Sequence, residues 1–190
     1  SYGFMMWVPT FLMRVHEMDR SQSGAWLGLI AAGCGLAGAY AGGWLADRAV
    51  ARDRRWFVWL PACAGVVTTP FIFAFLLVDS GPLALLCYAP IAFLSATWSA
   101  PTYAVVQGLV SLRMRAMASA VLLFVLNLIG LGLGPQFVGI LNDLFDGRFG
   151  TQAIRYSLLA IGMGKAWGAL HSLLASRYLC EDLDRAATSA

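Results

Sequence analysis

Charged residues are scarce in this chain, and they are almost absent from its long apolar runs. They make up 12% of the 190 residues, where a soluble domain carries about a quarter. Each of the long runs exceeds the roughly 20 residues that an apolar helix needs to cross a hydrocarbon core. The composition therefore excludes an ordinary soluble domain and predicts a polytopic membrane protein. Four runs contain no Asp, Glu, Lys, Arg or His: Ser21–Ala46, Trp56–Val78, Pro82–Leu112 and Ala116–Asn142.

Residue patterns that would support catalysis or cofactor binding are also absent. There is no Ser/His/Asp or Cys/His arrangement, no carboxylate pair inside a run, and no glycine loop followed by Lys-Ser/Thr. The 4 cysteines suggest neither a disulfide framework nor a zinc site, and the His16–Asp19 cluster lacks regular ligand spacing. We therefore expect no enzyme, no cofactor and no metal site. The net charge of +3 forms no continuous basic face, so nucleic acid is not an expected partner.

Two further apolar runs bring the expected number of membrane spans to six. Ser1–Met13 opens the chain, and the last run is interrupted by Lys165. The first run reaches about 20 Å as a helix, short of a core of about 30 Å, so we expect a fragment cut inside a span. The expected spans lie near 1–14, 22–46, 56–78, 82–112, 116–142 and 156–176, followed by a cytoplasmic tail at 177–190.

The distribution of arginine predicts the orientation. The side that carries the connection Asp47–Arg55 has eight arginines, and the opposite side has four. Because cytoplasmic loops carry the excess of basic residues, the first side is expected in the cytoplasm. The expected location is an integral, multi-pass position in a bacterial inner membrane, with the lipid bilayer as the surrounding partner.

A weak internal repeat concerns the ends of two spans. Gly43 to Asp47 and Gly139 to Asp143 share the pattern Gly-x-x-x-Asp, and three spans separate the copies. The copies therefore face opposite sides of the membrane, as in the inverted repeats of secondary transporters. The predicted fold class is an all-α membrane protein with six transmembrane helices arranged as a 3+3 inverted repeat.

Small residues recur at steps of three and four in several spans. In lipid, close approach of backbones replaces the hydrophobic drive, so such stripes predict helix–helix contacts. The stripes are Gly24, Gly28, Ala31, Gly35, Gly38 and Gly42 in the second span, Gly130 and Gly134 in the fifth, and Gly164 and Gly168 in the sixth.

The segment Gly42–Arg48, followed at once by further arginines, carries a family resemblance. It resembles the signature loop of the major facilitator superfamily, which joins the second and third helices of each six-helix half. Val50 stands where that loop usually has glycine, a departure that is commoner in the second half of these proteins. Two further stretches, Trp7–Leu12 and Arg115–Asp143, resemble the C-terminal half of the Spinster-like branch.

This resemblance implies that the spans are helices seven to twelve of a twelve-helix transporter that works by alternating access. Its partner would be the N-terminal six-helix half of the same transporter, and the cargo would be a small organic, amphipathic or lipid-like solute. A non-transporting six-span scaffold or sensor, with glycine stripes but no polar cavity, is the alternative. By position, the gating-loop residues are Gly43, Asp47, Arg48, Arg52 and Arg115.

Polar and aromatic side chains within the spans are the candidates for a substrate cavity. The fourth span contains Pro90 and Pro101, and broken helices near the bilayer midplane are where transporters bind substrate. The alternative is a kinked packing helix whose polar groups bond internally, and Trp7 could equally anchor at the lipid interface. The candidates are Tyr2, Met6, Trp7, Trp98, Thr102, Gln107 and Asn127.

Lys165 is the only full charge well inside a span. A lysine at the centre of a bilayer costs about 2.5–3.5 kcal/mol on insertion scales. It is either a functional cation or a side chain that snorkels to the interface. The position on the sixth span, which is peripheral in the resembled fold, favours the second interpretation.

Overall fold

The computed structural model describes residues 2–188, and nearly all of them are helical. Helices are expected in lipid because each one satisfies its own backbone N–H and C=O groups. The α-helices are α1 (Tyr2–Val15), α2 (Arg20–Ile30), α3 (Leu36–Val50), α4 (Trp56–Leu77), α5 (Gly81–Ala96), α6 (Ser99–Gly108), α7 (Arg115–Val125), α8 (Gly134–Phe149) and α9 (Ala153–Thr188).

Two pairs of these α-helices are joined end to end by π-helical segments. A π-helical segment at Ala31–Gly35 joins α2 to α3, and a longer one at Leu126–Leu133 joins α7 to α8. In the fourth span the α-helix breaks at Thr97 and Trp98, between α5 and α6, while Pro90 lies inside an unbroken α5. The Thr97 hydroxyl donates to the Leu94 carbonyl there, as expected where a break frees carbonyl groups.

By length and apolar composition, four helical stretches of the described residues can cross a membrane. They are Arg20–Val50, Trp56–Leu77, Gly81–Gly108 and Leu112–Ala186. The last has 75 residues, and it turns back at Gly150, whose φ of 53° ends α8 before α9 packs against α8. The all-helical membrane fold is confirmed, while the stretches number four where the sequence predicted six. The last helix also runs to Thr188, through most of the segment expected as a tail.

Two ion pairs identify the two ends of the helix bundle. Arg155 at the start of α9 lies 3.5 Å from Asp79, just before α5. Arg54, in the connection between α3 and α4, lies 2.7 Å from Asp184 near the end of α9. Ion pairs in which at least one side chain is largely exposed contribute little stability, but these two place the Asp79 connection and the Arg54 connection at opposite ends.

Aromatic rings form the centre of the buried core. Phe75 of α4 meets Phe11 of α1 at a centroid distance of 5.0 Å and Tyr88 of α5 at 5.6 Å. Phe4, on the next turns of α1, lies 6.0 Å from the same ring. These rings are buried, so α1, α4 and α5 are held together by one aromatic cluster.

Close glycine contacts bring two pairs of segments together. A Cβ added at Gly42 would lie 2.6 Å from the backbone of Thr97, and one added at Gly3 would lie 2.7 Å from the backbone of Gly134. A Cβ added at Gly38 would likewise overlap the Phe93 backbone of α5, so these contacts support the predicted packing role of Gly38, Gly42 and Gly134. The remaining stripe glycines other than Gly130 have open space beside them within residues 2–188: Gly24, Gly28, Gly35, Gly164 and Gly168.

We predict that Gly42→Ala destabilises the fold and that Gly28→Ala does not. The added methyl group at Gly42 would overlap backbone atoms, which cannot rotate away, and overpacking of this kind costs about 1–3 kcal/mol. At Gly28 the methyl group meets nothing within 4 Å, and alanine is the better helix former. The measurement is the thermal unfolding midpoint in one detergent. Equal midpoints for the two variants would contradict a close α3–α5 contact.

Candidate functional site

A cavity of about 560 Å³ lies between α4, the α5–α6 break and α9. Lys165 projects into it from α9, and its Nζ donates a hydrogen bond to Ser95 Oγ at 2.8 Å. Trp98 and Thr102 line the same cavity. Two of the predicted cavity residues are thus brought together, and they share the cavity with the lysine.

A second cavity, of about 330 Å³, lies where α1 meets the π-helical segment between α7 and α8. Tyr2 and Trp98 line it together with apolar side chains and Gly130. A Cβ at Gly130 would lie 2.7 Å from the Tyr2 ring, so this glycine makes room for the tyrosine. The Trp98 side chain therefore stands between the two cavities and lines both.

The other predicted cavity residues are placed differently. Gln107 donates to Ser119 Oγ at 3.1 Å and ties α6 to α7. The Asn127 amide donates to the Leu123 carbonyl of its own helix at 2.8 Å, and the side chain is exposed. Trp7 donates its indole N–H to the Pro135 carbonyl at 2.9 Å, and Met6 is 58% exposed. Internal bonding therefore accounts for the Gln107 Nε2 and for the Trp7 indole N–H.

The predicted gating loop lies at the Arg54 end of the bundle. Arg48 stacks over the Trp44 ring at 4.1 Å, and the turn is closed by the Arg55 N–H, which donates to Asp53 Oδ1 at 2.8 Å. Asp47, Arg52 and Arg115 are exposed, whereas Gly43 is partly buried. Within residues 2–188, Asp47 makes no ion pair.

A third cavity, of about 640 Å³, opens at the Asp79 end between the α2 region and α5. It is lined mainly by apolar residues, together with His16 and Gln22. Burial lowers the pKa of the His16 imidazole below its usual value, because desolvation disfavours the charged form. Among the described residues, no three His, Cys, Asp or Glu side chains gather as metal ligands.

The contact between Lys165 and Ser95 was not predicted. The sequence shows a lone cation inside a span, which must have a partner on a neighbouring helix or reach the interface. Ser95 belongs to a hydroxyl-rich stretch of the fourth span, so that stretch was the available signal. Sequence spacing alone does not say which of its hydroxyls faces α9.

Known proteins match the chain over nearly its whole length. An "MFS-type efflux pump" of Mycolicibacterium smegmatis (strain ATCC 700084 / mc(2)155) is 33% identical over 183 residues, which cover 96% of this chain and 42% of that protein. No protein-family model matches the chain.

Two solved structures are similar in fold. Both are of a bacterial homologue of the human lysosomal transporter Spinster, in inward-facing occupied and inward-facing unoccupied conformations. Each is 26% identical and covers 95% of this chain, with TM-scores of 0.80 and 0.85. The chain spans 46% and 45% of those structures' chains, so it corresponds to less than half of its relatives.

The chain is therefore an integral, multi-pass protein of a bacterial plasma membrane. It is similar to a major-facilitator-type efflux pump over less than half of that protein and has Spinster homologues among its structural neighbours, in agreement with the family resemblance seen in the sequence.

We predict that cysteines placed at Trp98 and Asn127 react with a charged, water-soluble maleimide, because a cavity that binds solutes contains water. The background chain has Cys34, Cys63, Cys87 and Cys180 replaced by alanine. Gln107→Cys should react as well once its bond to Ser119 is lost. The measurement is the labelled fraction in proteoliposomes.

The matched control is Val66→Cys on α4. This position is 53% exposed on the protein, but the third span is expected to face lipid, so it should stay unlabelled. Protection of all the cavity positions would favour a scaffold without a cavity.

Proposed function

We propose that this chain forms the C-terminal six-helix half of a secondary active transporter. In this proposal the six spans are α1, α2–α3, α4, α5–α6, α7–α8 and α9, related as a 3+3 inverted repeat. The main support is the match over 96% of this chain to 42% of a protein named as an efflux pump. The similarity to Spinster structures over less than half of their length supports it further.

The proposed cargo is a small organic or amphipathic solute, and the cavity of Tyr2 and Trp98 is the proposed contribution of this half. Two aromatic side chains with polar tips suit a ligand that is part apolar and part polar. Met6 and Asn127 are exposed, and they are available to complete a cavity with another half. In this proposal the cargo is not contacted directly by Trp7, Thr102 and Gln107, which have a structural role.

Alternating access is the proposed mechanism, with one six-helix half rocking against the other around the site. The exposed carboxylate of Asp47 and the guanidinium groups of Arg48, Arg52 and Arg115 would form and release contacts across the cytoplasmic entrance. No Asp or Glu lies in the predicted spans. If the transporter is driven by protons, the coupling carboxylates therefore come from outside this chain.

A non-transporting scaffold or sensor is the second candidate function. The internal hydrogen bonds of the Gln107 Nε2 and of the Trp7 indole N–H agree with a packing role. The cavities at Trp98 favour the transporter.

We predict that residues 1–190 alone, folded in proteoliposomes, do not accumulate a solute against its gradient. A binding site between halves is incomplete in one half, so ethidium and a fluorescent lysolipid should equilibrate passively. Circular dichroism and gel filtration serve as controls for folding. Robust accumulation by this chain alone would contradict the proposal that it holds only half of the binding site.

We predict that Asp47→Asn, in the complete transporter, lowers turnover at least tenfold while expression stays nearly unchanged. The substitution removes the negative charge with which the proposed gating loop would form its contacts, and it keeps the size of the side chain. Asp53→Asn is the matched control, because Asp53 only bonds the backbone of its own turn. Equal turnover for wild type and Asp47→Asn would argue for a simple connecting loop.

A further inference from the structure

Lys165 is the only lysine in the chain, and the lining of its cavity contains no acidic residue. It is the thirteenth residue of α9, which begins at Ala153, so it lies roughly 18 Å along the helix. That depth is inside the hydrocarbon core, because Arg155 and Asp79 mark the nearer end of the bundle. The ammonium group is therefore held at membrane depth without a carboxylate from the described residues.

The hydrogen-bonding capacity of this ammonium group is only partly used. It carries three N–H donors, and the structure directs one of them to Ser95 Oγ. A hydroxyl can accept this bond but cannot neutralise the charge. A cation in a site of low polarity is stabilised most by an anionic oxygen, and none is supplied by the cavity wall.

The cavity has room for such an anion and for an apolar chain attached to it. Its volume of about 560 Å³ lies within the range of sites for small organic ligands. Much of the wall is small or apolar: Pro61, Ala64 and Gly65 of α4, Leu94 of α5, and Ile161 and Ala169 of α9. The hydroxyl groups of Thr68 and Ser172 also line the cavity, but they donate to carbonyl groups of their own helices. Lys165 is the one charged group in this lining, and a single charge beside apolar walls matches an amphiphile, with one charged end and one apolar end.

On α9, several residues beside the cavity are small or apolar and are not covered by other described residues. Gly164 and Gly168 line it and have nothing within 4 Å of an added Cβ. The neighbouring side chains Met163 and Trp167 are 59% and 67% exposed, and at this depth their surroundings are lipid. A ligand would therefore enter from the bilayer rather than from water.

We propose that this cavity binds an anionic amphiphile taken from the bilayer, with its carboxylate or phosphate oxygen on Lys165 and Ser95. The apolar chain lies between α4 and α9. This site is separate from the Tyr2 cavity, on the other side of the Trp98 side chain. It does not depend on the transport function proposed above.

Equilibrium binding to the chain in a neutral detergent, followed by native mass spectrometry, tests this site. Oleate and dodecyl phosphate supply a chain with an acidic oxygen, oleyl alcohol supplies the chain alone, and inorganic phosphate supplies the anion alone. We expect Lys165→Met to lower the affinity for oleate and dodecyl phosphate at least tenfold. Ser95→Ala should lower both affinities severalfold. Lys165→Arg should retain most of the affinity, and Arg148→Met, a matched loss of a basic residue outside the cavity, should change nothing.

Two results would overturn the proposal. One is unchanged oleate affinity in Lys165→Met, and the other is inorganic phosphate binding as tightly as the amphiphiles, which would indicate a site for free anions. A measurement on the unsubstituted sequence guards against misfolded variants. Reductive methylation with ¹³C-formaldehyde labels only Lys165 and the chain's amino terminus with ¹³C-methyl groups. In the ¹³C NMR spectrum, oleate should shift the resonance of Lys165 and leave that of the amino terminus unchanged. No shift of the Lys165 resonance would also reject the site.

Discussion

The need to satisfy every backbone polar group without water is the constraint on which this structure depends. In hydrocarbon only helices and closed barrels meet it, and this chain meets it with helices from α1 to α9. Apolar side chains gain little by leaving lipid for the protein interior, so close packing must hold the helices together. That explains why backbones touch at Gly42 and Thr97 and at Gly3 and Gly134.

Departures from regular helix occur beside the proposed sites. The break between α5 and α6 contains Trp98, which lines two cavities. The π-helical segment Leu126–Leu133 forms a wall of the Tyr2 cavity. Irregular turns of this kind are frequent at functional sites, and in a membrane they are tolerated where they line a cavity or are buried in protein.

The membrane fold was predictable from the scarcity of charge, because a long apolar run without charged residues is explained by a helix that crosses the membrane. The family was predictable from the order of residues around Asp47. Side-chain partners were not predictable: Gln107 and Lys165 both required a partner, but the spacing did not identify Ser119 or Ser95. The prolines indicated a broken helix in the fourth span without giving the position of the break, which lies at Thr97 and Trp98, just before the turn of α6 that contains Pro101. The gating and cavity assignments remain predictions.

Hydroxyl-radical footprinting of the chain in lipid nanodiscs tests the central claim most directly. Met163 and Met114 are almost equally exposed on the protein, at 59% and 55%, but Met163 lies at membrane depth and Met114 lies in the connection before α7. If hydrocarbon surrounds the helices, Met114 is oxidised rapidly and Met163 is shielded. Equal oxidation of the two methionines would contradict the membrane-embedded account.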